Sequence, residues 1–367
     1  MSGLRIIIAG GGTGGHIFPA VAVGHALQRL RPGTQLLFVG AKGKMEMEKV
    51  PQEGFEIIGL DIVGFNRSNL LKNISLPFKL LQTRMESRDI IRKFKPSAII
   101  GVGGFASFPV LHAGQGMGIP TLIQEQNSYA GKSNKILGRK AKVVCVAYEH
   151  MERFFPKEKI VVTGNPVRKS ISAMNRTSAE GKAWFGVDGE RKTVLVIGGS
   201  LGAKSINESI HAELDDILKE DVNVIWQTGK HYFEQVKEYT AGYGNRVRVF
   251  DFIREMDYAY AAADVVVSRA GALAIAELCI AGKPVIFVPY PHAAEDHQTS
   301  NAKALVKHNA AMLVRDSEAK TELVKLLKTV LNDNALQEAM SANLKAMAIR
   351  DADERIANKV FEIAKMQ

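Results

Sequence analysis

The chain has 367 residues, of which 46% are hydrophobic and 23% charged, with a formal net charge of +10. That length suits two domains better than one core, and the composition is that of an ordinary globular protein. The two cysteines, Cys145 and Cys279, sit in apolar runs (VVCVA and AELCIAG), which excludes a disulfide framework and reads as core packing in a reducing compartment.

Only four residues precede the first apolar run, so no signal peptide is expected, and no run of about 18 apolar residues is present to span a membrane. The basic balance instead points to an anionic partner: nucleic acid, an anionic membrane surface or phosphorylated ligands.

Strands alternate with helical stretches throughout, the α/β pattern of a parallel sheet with helices on both faces. In the first half, strands are predicted at 5–9, 35–39, 56–60, 98–102, 121–124, 143–146 and 160–163. Gly164-Asn165-Pro166 follows, a turn and candidate hinge because the residue before proline avoids the helical region. The second half opens with a helix at about Ser178 and repeats the scheme at 193–197, 223–227, 247–250, 265–268, 284–288 and 311–314. From about Ala335 to Lys365 the tail is helical in composition.

The chain therefore opens twice. LRIIIAGGGTGGH and TVLVIGGSLGAK are each an apolar strand breaking into glycines ahead of a helix. Such a turn brings backbone N–H groups and the positive helix end to an anion. Two of them predict two Rossmann-like domains facing across a cleft. Gly10, Gly12 and Gly15 satisfy the dinucleotide pattern GxGxxG, but the second strand ends in Ala41-Lys42-Gly43-Lys44 with no carboxylate for a ribose. Lys42 and Lys44 leave a 2′-phosphate as the remaining dinucleotide option.

His16 is expected in the first helical turn, either as general base for a hydroxyl or as a simple hydrogen-bond donor. Gly101–Pro109 (GVGGFASFP) and Gln124–Ser128 (QEQNS) fall at the carboxyl edge of the same sheet, where open α/β folds bind ligands. The second of these also reads as a solvated turn with Ser128 capping a helix. Glu277, amid alanine, leucine and isoleucine, needs a partner: a ribose diol, a helix cap or a pair with Arg269. His292, Glu295, Asp296 and His297 cluster in PYPHAAEDHQTSNA, at a spacing that matches no metal pattern.

Taken together, GGGTGGHIFPA, GVGGFASFP, QEQN, GNPVR, GGSLGA, SRAGALAIAE and DHQTSNA resemble, over essentially the whole chain, the MurG family of bacterial glycosyltransferases. The resemblance implies the GT-B fold, with an N-terminal acceptor and membrane domain at 1–165, a UDP-GlcNAc-binding domain at 166–349 and a C-terminal helix, 350–367, packing back on the first. It implies inverting transfer of GlcNAc from UDP-GlcNAc to the muramoyl 4-hydroxyl of undecaprenyl-diphospho-MurNAc-pentapeptide (lipid I), giving lipid II and UDP for the cell wall. A UDP-GlcNAc 2-epimerase of the same fold is the alternative, and a non-catalytic sugar-nucleotide or nucleic-acid binder a weaker one. Nucleic acid is not an expected partner, since helix-turn-helix and zinc signals are missing.

By the same resemblance, Thr13, Gly14 and Gly15 lie by the donor sugar and the acceptor diphosphate. Asn127 meets the GlcNAc, Arg168 and Ser200 the UDP diphosphate, and Ile253 presents backbone groups to uracil. Ala272, Leu273, Ala274, Ile275, Ala276 and Glu277 wrap the nucleotide, with Glu277 on the ribose, and Gln298 touches sugar hydroxyls. His16 is the first candidate base and Glu125 the second. No metal or other cofactor is expected. Leu201 stands where the family commonly has Gln, which removes one polar contact.

The segment 64–94 interleaves Leu70, Leu71, Ile74, Leu76, Phe78, Leu80 and Leu81 with Arg67, Lys72, Lys79, Arg84, Arg88 and Arg92. It reads as an interfacial patch or as an ordinary amphipathic helix. The location implied is peripheral, on the cytoplasmic face of the plasma (inner) membrane, where a cell-wall synthesis or division complex is a further partner.

Overall fold

A computed structural model describes residues 3–62, 76–199 and 201–365. The chain divides into two compact units, Met1–Arg168 with Asp351–Gln367, and Lys169–Arg350.

The first unit is built on β1 (Arg5–Ala9), β2 (Gln35–Ala41), β3 (Ile57–Leu60), β4 (Ala98–Gly101), β5 (Thr121–Glu125), β6 (Val143–Val146) and β7 (Ile160–Val162). They form one parallel sheet in the order β3-β2-β1-β4-β5-β6-β7, with Ile6 in register with Leu36 on one side and Ala98 on the other. The central strands are near-continuous aliphatic runs because helices cover both faces. On one face α1 (Gly14–Leu30) buries Ile17, Ala20, Val23 and Leu27 together with Ile356, Ala357, Val360 and Ile363 of the closing helix Ala352–Ala364. α2 (Glu46–Gln52) adds Val50 to this core. The other face carries Ile91 of α3 (Leu76–Phe94), Val110 and Leu111 of α4 (Ser107–Gly116) and Leu137 of α5 (Lys132–Gly138).

The second unit repeats the plan with β8 (Lys192–Ile197), β9 (Val222–Gln227), β10 (Val247–Phe250), β11 (Val265–Ser268), β12 (Val285–Phe287) and β13 (Met312–Leu313). Their order is β10-β9-β8-β11-β12-β13. Trp226 is fully buried, and its indole N–H donates to Asn207 Oδ1 at 3.0 Å, so the one polar atom of that ring is satisfied inside the core. The helix Ser178–Phe185 starts on a capping box between Thr177 and Glu180 and stops at Gly186 in the left-handed region.

In each sheet the strand order reverses once, between β1 and β4 and between β8 and β11. These are the topological switch points, where loops at the carboxyl edge diverge and leave room for a ligand. The unit boundary falls after Arg168 and not at 165, because the Asn165 side chain is buried and bonded into the edge of the first sheet.

Candidate active site

At the first switch point the loop after β1 leads into α1, with Thr13 as an extended N-cap and His16 in the first turn. Thr13 Oγ1 and His16 Nδ1 are 3.2 Å apart, a hydrogen bond whose donor depends on the imidazole tautomer. The opposite edge of the ring lies over Gly103, where a Cβ would come within 2.7 Å of Cδ2 and 2.8 Å of Nε2. Gly11 N–H donates to Gly103 O at 3.2 Å, so the loops after β1 and β4 hold each other backbone to backbone. Pro19 has no N–H, which leaves the Gly15 carbonyl without the donor that the next turn of α1 would supply. Thr13 and Gly15 are exposed, as is the Phe105 ring beside Gly12.

The loop after β5 is tied to this pair. Gln126 Nε2 donates to Val102 O at 2.7 Å and also to Gln124 Oε1, Gln124 Nε2 to Asn165 Oδ1 at 3.0 Å, and Asn165 Nδ2 to Gln126 O at 2.9 Å. Glu125 is buried. Its Oε1 accepts the backbone and side-chain N–H groups of Asn127 at 3.1 and 3.3 Å, and its Oε2 accepts Gly131 N–H and Asn134 Nδ2 at 3.1 and 2.8 Å. Burial pushes this carboxyl up, against the downward pull of those donors. Both oxygens hold the Asn127 loop in shape. The following helix is capped at Gly131 and not at Ser128.

Glu46, which no motif marks, borders the first glycine loop. The end of β2 does carry a carboxylate, brought back from the first turn of α2: Glu46 Oε1 accepts Ala41 N–H at 3.0 Å and Oε2 accepts Gly12 N–H at 2.8 Å. It faces the glycine loop and not a ribose. Lys42 and Lys44, the dinucleotide option, are exposed.

In the second unit Gly198–Ala203 joins β8 to the helix Lys204–Ala212. Ser200 lies outside the described residues, and Leu201 is 77% exposed, so the residue at the family's Gln position makes little use of its own unit. Gln227, at the tip of β9, donates from Nε2 to Gly199 O at 2.9 Å and accepts Ile253 N–H on Oε1 at 2.8 Å. The Ile253 N–H thus has an internal acceptor in the tip of β9. The side chains of Ile253 and Ile275 are buried.

Arg269 does not pair with Glu277. Its NH1 group donates to Val288 O, Pro289 O and Asp316 Oδ1 at 2.9, 3.1 and 2.5 Å, and NH2 to Ser205 Oγ at 3.2 Å. It is a brace between β11, the loop after β12 and the helix behind the glycine loop. Glu277 is buried on Ala272–Ala281, where Oε2 accepts Tyr260 OH at 3.0 Å. Ala272, Leu273, Ala274 and Ala276 are half-buried on the same helix. Gln298 Oε1 accepts Tyr290 N–H at 2.9 Å, and Glu295 and Asp296 before it both adopt left-handed backbone. Among the described residues no group of three or more His, Cys, Asp or Glu side chains is placed to hold a metal ion.

Two doubly wound units, each with a glycine loop at its switch point, describe a GT-B glycosyltransferase, an enzyme class that binds a nucleotide sugar on such a loop. Residues 6–146 match the glycosyltransferase family 28 N-terminal domain and residues 193–356 the family's C-terminal domain, and the chain belongs to glycosyltransferase family 28.

The chain is 48% identical over 360 residues, 98% of each chain, to the Parabacteroides distasonis UDP-N-acetylglucosamine–N-acetylmuramyl-(pentapeptide) pyrophosphoryl-undecaprenol N-acetylglucosamine transferase. It is 51% identical over 359 residues to the protein of that name from Cytophaga hutchinsonii, covering 98% of this chain and 96% of the relative. The crystal structure of Acinetobacter baumannii MurG superposes with a TM-score of 0.79 at 31% identity, covering 98% of this chain and 99% of that one. A UDP-N-acetylglucosamine 2-epimerase, at 14% identity and a TM-score of 0.67, shares the fold alone.

Among the described residues no helix is long and apolar enough to cross a membrane. Of the basic and apolar segment 64–94, residues 63–75 and the side chains of 76–80 lie outside the described residues. In the remainder Leu81 and Met85 are exposed beside exposed Arg84 and half-buried Arg88. Exposed Ile136 is on α5, which like α3 packs against α4.

Proposed function

We propose that this chain transfers GlcNAc from UDP-GlcNAc, with inversion, to the muramoyl 4-hydroxyl of undecaprenyl-diphospho-MurNAc-pentapeptide, giving lipid II and UDP. The observation that carries this reading is the likeness, at about half identity and nearly full length, to transferases bearing that name. The displacement is a single in-line step: the acceptor oxygen attacks the anomeric carbon as the bond to UDP breaks.

His16 takes the hydroxyl proton. In the tautomer that suits this role, Nδ1–H donates to Thr13 Oγ1 and Nε2 is the basic nitrogen. Thr13, Gly14 and Gly15 receive the acceptor diphosphate at the N-terminus of α1. The UDP formed is stabilised by the N-terminus of the helix Lys204–Ala212, by Ser200 and by Arg168, with no cofactor in the step. Asn127, oriented by Glu125, meets the GlcNAc. Ile253 borders the uracil, Ala272 to Glu277 wrap the nucleotide with Glu277 on the ribose, and Gln298 faces sugar hydroxyls.

The acceptor is a lipid, so the enzyme works peripherally at the cytoplasmic face of the membrane, meeting anionic headgroups through the exposed cations and apolar groups of α3.

The test is UDP release from UDP-GlcNAc with and without a lipid I analogue, for wild type and His16→Ala. Acceptor-dependent release that falls about 10²–10⁴-fold in the variant, with UDP affinity kept, is expected of a general base. Acceptor-dependent release that survives the substitution removes His16 as base. Conversion of UDP-GlcNAc without acceptor replaces the transferase by the epimerase reading.

A further inference from the structure

Glu46 is 1% exposed, and its two carboxylate oxygens accept the N–H groups of Ala41 and Gly12. The glycine loop is shaped around it: a side chain on Gly11 or on Gly40 would overlap Glu46 atoms. Among the described residues no basic side chain pairs with it. A glycine turn at a helix start offers its N–H groups to an anion. Here one of those groups, at Gly12, is already taken from inside the protein by an anion that belongs to the chain.

Two consequences follow from charge and geometry. A second anion placed against Gly11 and Gly12 would face a buried carboxylate across a low-dielectric gap, where like charges repel strongly. The loop's remaining attraction for a phosphate is then concentrated further on, at the start of α1, where Thr13 and Gly15 are exposed and Gly14 is half-buried.

We propose that Glu46 is a positioning residue: it anchors the glycine loop by Gly12, and its charge displaces the acceptor diphosphate from the glycine turn to Thr13–Gly15. The proposal rests on the reading that the acceptor diphosphate meets this loop.

Glu46→Gln keeps the size but puts a donor where one acceptor stood. Glu46→Asp keeps the charge but falls one methylene short. With donor and lipid I analogue varied separately, Glu46→Asp, which keeps the charge and loses the anchor, is expected to raise the acceptor KM about tenfold, the worth of one charge-assisted hydrogen bond. Glu46→Gln lifts the repulsion, so the diphosphate settles at the glycine turn and kcat is expected to fall while the acceptor KM does not rise. The donor KM is expected to stay within about twofold in both; the same acceptor response from the two variants, or an equal change in donor and acceptor KM, overturns the proposal.

Amide hydrogen exchange of Gly12 in the unliganded wild-type protein is an independent arm that needs neither variant to fold. Strong protection is expected, and exchange at the rate of an open amide overturns the anchor. If wild type shows no acceptor-dependent UDP release while Gly12 is protected, the assigned function fails and the anchor stands.

Discussion

Gln126 Nε2 donates to Val102 O at 2.7 Å, so the loop that carries Asn127 hangs from the glycine loop after β4. Both groups are buried, and removing the donor leaves the carbonyl unsatisfied. Gln126→Leu is expected to lower stability by about 1–3 kcal/mol, read by urea unfolding, and to raise the donor KM as Asn127 loses its placement. A variant as stable as wild type would show that the loop is held elsewhere.

Glu277 and Tyr260 separate charge from packing. Glu277→Gln keeps an acceptor for the Tyr260 hydroxyl but loses the charge for a ribose diol. It is expected to raise the donor KM about tenfold, consistent with hydrogen bonds to a charged group. Tyr260→Phe is expected to cost about 1 kcal/mol of stability and to leave the donor KM nearly unchanged. The reverse pattern would make Glu277 a structural residue only.

Arg269 joins three parts of the second unit through planar, directional bonds that a lysine ammonium cannot reproduce. Arg269→Ala leaves the Asp316 carboxylate and two carbonyls behind. It is expected to destabilise the protein by about 3 kcal/mol or more, with Arg269→Lys rescuing only part of the loss in thermal unfolding.

His112 reports on the basic face of the first unit. Burial holds its imidazolium below the ordinary histidine value, and Arg84, Lys140 and Arg88 push it further down. Between that lowered value and the ordinary one the unfolded chain binds the proton more readily. Stability therefore rises with pH through this window and is lost on acidification. Arg84→Glu is expected to move the His112 titration upward, followed by the ring proton resonances. Anionic vesicles are expected to do the same and uncharged vesicles not. A titration indifferent to both would detach this face from membrane binding.

The β-α alternation was legible because buried parallel strands such as RIIIA and TVLVI are continuous aliphatic runs broken by glycine. The loops that line the two switch points were legible for the same reason. Side-chain partnerships were not. Glu46 sits in MEMEKV with nothing local to mark it from Glu48, and only the turn back to β2 brings it to Gly12. Glu125 reads as an acid beside amides, yet its burial and four N–H partners, two of them from beyond Asn127, make it a scaffold. Arg269 and Asp316 are 47 residues apart, so their pairing belongs to the sheet order and not to any spacing.

The closing helix Ala352–Ala364 fills one face of the first sheet with Ile356, Ala357, Val360 and Ile363. During synthesis this has an inverse order built in. Domains usually fold as units with the N-terminal one first. Here that core waits for residues made after the whole of Lys169–Arg350, so the second unit can close while the first still lacks Ile356, Ala357, Val360 and Ile363. For part of its time on the ribosome the nascent chain therefore carries an unfinished apolar face.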